Sequence, residues 1–139
     1  MRSADGLIEQ ELSDFVAGRI APARFPHREH LRLGFEMLGR HSFGETLDRF
    51  SSGLKLLAAR AGRPEVYHET RTVAFLALIA ERKASRPGQS WGTFIAANAD
   101  LAEKRFLEHW YDPAELESET ARRVFVLPRR AHLAAVAAA

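Results

Sequence analysis

Two short stretches hold the side chains best suited to chemistry: Pro26-His27-Arg28-Glu29-His30-Leu31 and Tyr67-His68-Glu69-Thr70. Three of the six histidines lie in them, close to glutamates. Imidazole and carboxylate hold divalent metals and exchange protons near neutral pH. His27 and His30 are three residues apart, so on a helix they share a face. Leu31, Gly34 and Leu38 continue that face toward a core. Glu69 comes one turn before Val73 and two before Leu76, on the buried side of its own helix, with His68 about 100° round from it. His27, His30, His68 and Glu69 together make a sufficient ligand set for zinc, iron or manganese. In an enzyme built this way the ion activates water or a small substrate, and Glu69 and His68 are the catalytic pair. The plainer reading stands beside it. A His pair at this spacing arises often by chance, a histidine at a helix start can simply bond a carbonyl, and Glu69 can be solvated or ion-paired.

The elements that must position these residues read as helices throughout. An amphipathic first helix covers about 4–18, with Ile8, Leu12, Phe15 and Val16 against Glu9, Glu11 and Asp14; Gly18 and Pro22 end it. Phe25-Pro26 opens a second helix over about 27–39. Ser42-Phe43-Gly44-Glu45 reads as a capping box for a third, in which the Ser42 hydroxyl and the Glu45 carboxylate each take an orphan amide. Phe43, Leu47, Phe50, Leu54, Leu57 and Ala61 then form one apolar stripe, stopped by Gly62 and Pro64. A fourth helix over about 65–84 is apolar round more than half its circumference and predicts the central, buried helix. Arg86-Pro87-Gly88 makes a loop, and Ser90 caps a fifth helix that breaks near Asn98 and resumes to Trp110. Asp112-Pro113-Ala114-Glu115 is another helix start. A short C-terminal helix follows, then the Val-Phe-Val-Leu run of 124–127, a possible strand without a partner. The chain is therefore expected to be an all-α, single-domain helical bundle of about five to six helices. Its core covers about 4–127, and an Ala-rich tail frays over 131–139. If helices two, three and four run up, down and up, the second and fourth are parallel and their N-termini meet at one end. His27, His30, His68 and Glu69 then converge there, with Arg71 and Thr70 near enough to serve an anionic group or orient an imidazole.

The pattern H-x-x-H-L after an aromatic and a proline, followed by Tyr67-His68-Glu69-Thr70 and Thr72, resembles an uncharacterised family of small bacterial helical proteins. A later Ser118-Glu119-Thr120-Ala121-Arg122 and Leu127-Pro128 are similar to that family's S-x-x-A-R and proline-containing terminus. The resemblance spans about 25–130. The family more often carries an aspartate after that proline, where this chain has Arg129. The resemblance supports the His and Glu positions, adds Arg122, and implies no particular activity. It completes a second, metal-free reading: a binding module for a small anionic ligand, with His68, Arg71, Thr70 and Arg122 around the anion.

Composition narrows the remaining classes. The chain has 139 residues, 46% hydrophobic and 27% charged, with a net charge of +2 and no cysteine. Thiolate metal sites, disulfides and cysteine nucleophiles are excluded, and a cytoplasmic location is expected. No apolar stretch follows the start as a secretory signal requires, and the longest apolar run, 73–80, is too short to span a bilayer. The basic excess is interleaved with acids, dense only at Arg122-Arg123 and Arg129-Arg130, which argues against a nucleic-acid partner. A homodimer remains open in every reading. Gly88-Gln89-Ser90-Trp91-Gly92 matches a nucleophile elbow in letters only, because no strand precedes it. Thr72 stands where a zincin needs its second histidine. Trp91, Phe94, Trp110 and Tyr111 read as core or pocket-wall aromatics. His41, His109 and His132 show no convincing partner at helical spacing.

Overall fold

The computed structural model describes residues 4–129. The fold is all-α, with no strand among those residues. Seven α-helices follow one another: α1 (Ala4–Val16), α2 (His27–Leu38), α3 (Phe43–Arg60), α4 (Glu69–Ser85), α5 (Trp91–Ala97), α6 (Pro113–Leu116) and α7 (Glu119–Arg123). That is more than expected, because the C-terminal third is cut into single turns. After Ala97 the chain takes two 3-10 turns, Ala99–Ala102 and Phe106–His109, where a resumed helix was expected. Asn98 turns its side chain back onto the Phe94 carbonyl at 2.8 Å, competing with the backbone bond that would carry the helix on. The tail at 131–139 lies outside the described residues.

Local chemistry sets the other boundaries. Gly18 takes φ +74°, and the amide of Arg19 donates to the Asp14 carbonyl at 2.7 Å, so α1 closes two residues before the expected end. Ser42 accepts the Glu45 amide as foreseen, while the Glu45 carboxylate lies 3.5 Å from His41 Nδ1. His41 therefore does have an acidic neighbour one turn away. Helix α4 begins at Glu69 rather than near residue 65, because Pro64–Val66 forms its own 3-10 turn and His68 acts as the cap.

Helix α4 is the hub, in contact with α2, α3 and α7. Its parallel run with α2 follows from the pairs they make. His27 meets Phe75 at the start of α2, Gly34 meets Leu76 and Ile79 in the middle, and Lys83 reaches Phe35 and Gly39 at the end. Gly34 makes this approach possible, since a Cβ there would stand 3.0 Å from Leu76 Cδ2. One core cluster of Leu12, Phe15, Phe25, Leu33, Met37 and Phe50 joins α1, α2 and α3. A second, with Leu31, Phe35, Ile79, Phe94, Leu101 and Phe106, joins α2 and α4 to the C-terminal third. Trp91 and Phe94 pack on Phe35, and Tyr111 is buried, so these aromatics are core.

Among the described glycines the closest helix approach is at Gly53, where a Cβ would fall 2.5 Å from the Phe15 ring. That ring is held between Phe25 at 5.1 Å and Phe50 at 5.3 Å, so it has nowhere to go. Alanine gains about 1 kcal/mol of helix propensity. Overpacking costs up to about 3 kcal/mol and outweighs it. Gly53→Ala should lose about 2 kcal/mol in urea unfolding, whereas Gly44→Ala, with open space around it, should lose nothing.

Candidate functional site

A cavity of about 670 Å³ opens between the N-terminal ends of α2 and α4. His27, His30 and His68 all line it, as the parallel arrangement requires. The C-terminal half of α3 supplies an apolar wall of Phe50, Leu54, Leu57, Ala58 and Ala61, continuing the stripe visible in the sequence. Phe75, Leu76 and Ile79 of α4 extend it. The other side is charged: Arg71 from the first turn of α4, Lys104, Arg105 and Glu108 from the segment after the first C-terminal 3-10 turn, and Glu117 after α6.

Each histidine is held neutral, for reasons the surroundings make plain. His27 Nε2 lies 3.1 Å from the Leu101 carbonyl, which can only accept, so that nitrogen carries the proton. Burial holds its pKa below the usual value, the Leu101 carbonyl pulls the other way, and Lys104 and Arg71 push it down again. His30 packs on Phe25, with ring centroids 4.4 Å apart. Burial, helped by His27, lowers its pKa to about 4. His68 is the α4 cap: Nδ1 accepts the Arg71 amide at 3.1 Å and Nε2 donates to the Leu116 carbonyl at 2.6 Å. A second proton on that ring would set an N–H against an N–H. Burial first, then Arg71 and Arg122, hold its pKa low as well.

The other residues singled out from the sequence fall into two groups. Arg71 lines the cavity and reaches Glu117 at 3.0 Å. Glu69, Thr70 and Arg122 do not line it. The Tyr67 hydroxyl donates to Glu69 at 2.6 Å, and burial together with that carboxylate keeps the phenol protonated. Thr70 is fully buried, donates to the Val124 carbonyl at 2.9 Å and accepts the Val126 amide at 3.1 Å. Tyr111 donates to the Val126 carbonyl at 2.8 Å. The run at 124–127 is thus held by two side chains, in place of the missing strand partner. Arg122 donates to the Glu65 carbonyl at 2.9 Å. Ser118 caps α7 by accepting the Ala121 amide at 3.1 Å, and Ala121 is fully buried. The Y-H-E-T and S-x-x-A-R segments therefore fasten the start of α4 to the C-terminal segment.

The expected ligand quartet does not assemble. Both ring nitrogens of His68 are engaged, His27 Nε2 is bonded to a carbonyl, and Glu69 is bonded to Tyr67. Among the described residues no group of three or more His, Asp or Glu side chains is arranged to hold an ion. Sequence reasoning missed Lys104, Arg105, Glu108 and Glu117. No local pattern marks them, since they reach the cavity only through the packing of the C-terminal turns. His109, without a convincing partner in the sequence, packs on Phe106 and Trp110, while Arg105 pairs with Glu108 at 2.7 Å.

Fold and site together define a small all-α bundle with a mainly apolar cavity, lined by three histidines and edged by charged side chains, between the N-terminal ends of α2 and α4. No family model, curated protein or solved structure matches the chain. Among the described residues no helix is long and apolar enough to cross a membrane.

Proposed function

We propose that this chain is a binding protein for a small organic anion, taken at the histidine-lined end of the bundle. The observation that carries this reading is the meeting of His27, Arg71 and Lys104, from three separate parts of the chain, at one cavity. Both cations act on the His27 ring, so both stand close enough to act on an anion beside it. His27 and His30 are neutral at pH 7 and bring no charge of their own, and the His27 proton is committed to the Leu101 carbonyl, so Arg71 and Lys104 are the donors to the anion. A metal ion would have to displace the cap and carbonyl bonds of His68, which favours the metal-free reading.

Benzoate should raise the melting temperature of the full chain at pH 7.5 by mass action, and benzyl alcohol should do so much less. The double variant Arg71→Met, Lys104→Met should lose the benzoate shift and keep its helical content. The Arg71–Glu117 pair is largely exposed and worth at most about 1 kcal/mol to the fold. Equal shifts with the alcohol, or a shift unchanged in the double variant, would sink the reading. Stoichiometric zinc, iron or manganese in the purified protein, lost on His27→Ala, would restore the metal-dependent one.

A further inference from the structure

Resting on that anion-binding reading, we infer the class of anion: a monocarboxylic acid with an unsubstituted hydrocarbon body. The first ground is the charge on the cavity wall. Arg105 is held by Glu108 at 2.7 Å and Arg71 by Glu117 at 3.0 Å. Lys104 makes no ion pair among the described residues. With the three histidines neutral, one positive charge is left uncompensated. A single carboxylate balances it. A polyanion would bring surplus negative charge against Glu108 and Glu117.

The second ground is the opposite wall. Leu54, Leu57, Ala61, Phe75 and Leu76 offer no donor or acceptor from their side chains. A sugar, nucleotide or hydroxylated acid laid there would lose its hydrogen bonds to water and gain none. A hydrocarbon chain or ring loses nothing and removes apolar surface from water. The third ground is size, since about 670 Å³ is the space of a whole small organic molecule and exceeds what a lone anion needs. The α3 stripe explains why this space is not filled from within. Its N-terminal part is packed against α1 and α2, Leu57 is only partly covered by that cluster, and Ala61 at the end of α3 is exposed, three residues before the Pro64–Val66 turn.

The experiment is calorimetric titration of the full chain at pH 7.5 with octanoate, decanoate, 4-phenylbutanoate, 1-decanol and citrate, each below its aggregation concentration. Decanoate should bind about tenfold more tightly than octanoate, from two added methylenes. Decanol should bind about tenfold more weakly than decanoate. Lys104→Met should bring decanoate down to the level of decanol and leave decanol unchanged. Ala61→Glu, at an exposed wall position, should weaken both without loss of helical content. A preference for the aromatic acid over decanoate, or the reverse, supports the class equally and identifies its body. Citrate binding as tightly as decanoate, still dependent on Lys104, would overturn the hydrocarbon class and leave the anion reading standing. Decanol equalling decanoate, or no binding by any of the five, would overturn both.

Discussion

Lowering the pH from 7.5 to 5 should remove about 3 kcal/mol of folding stability, about 2 kcal/mol of it through His30. Its pKa is about 4 in the fold, against about 6.5 in an unfolded chain. Between those values the unfolded chain binds the proton and the folded one refuses it. The contribution is therefore complete above pH 6.5 and is lost as the pH falls toward 4. His27 and His68 are shifted in the same direction by burial and the neighbouring cations, so they add to the same slope. Urea midpoints at pH 7.5, 6.5, 5.5 and 5 check this, in a range where the carboxylates stay ionised. His30→Phe keeps a ring against Phe25 and cannot titrate, so it should flatten much of the curve. A midpoint independent of pH over that range would rule out a neutral, buried His30.

Thr70→Val should cost about 2 to 4 kcal/mol, although it preserves shape and buries no new polar atom. One hydroxyl serves two backbone groups, the Val124 carbonyl and the Val126 amide. Each bond is worth about 1 kcal/mol net, and leaving a sheltered partner unpaired adds to the loss. Thr70→Ser keeps the hydroxyl and should lose much less. Hydrogen exchange separates this from a general packing defect: the Val126 amide should lose protection in the valine variant well before the α4 amides do. The same tail carries the exposed Val124, Phe125 and Leu127, so its release should also open a proteolytic site. Cavity ligands should still bind, because Thr70 faces away from that wall.

These two residues show how far the sequence could be read. The helical periods were legible because apolar spacing at three and four residues depends on nothing outside each helix. The Ser42 and Ser90 caps were legible as well, and each accepts the amide three residues on. The convergence of His27 and His68 was legible too, since short loops leave α2 and α4 little choice but to run parallel. What each polar side chain does there was not. Thr70 and Arg122 were read as ligand contacts, and they bind the chain's own backbone. Glu69 was read as a ligand or base, and it accepts from Tyr67. A buried polar group must find a partner, and those of His68, Thr70 and Arg122 lie 48 to 57 positions away along the chain.

The sequence by itself determined an all-α chain, its main helices, their apolar faces and the end of the bundle where imidazoles gather, because all of these follow from local spacing and short connections. Only the tertiary structure decided which side of α4 each of Tyr67, His68, Glu69, Thr70 and Arg71 would serve. It also brought Lys104 and Glu117 to the cavity and set the charge left over there. Those outcomes depend on where the irregular C-terminal turns pack, and that is fixed by Leu101, Phe106, Leu107 and Leu116 entering the core, not by any pattern near the site.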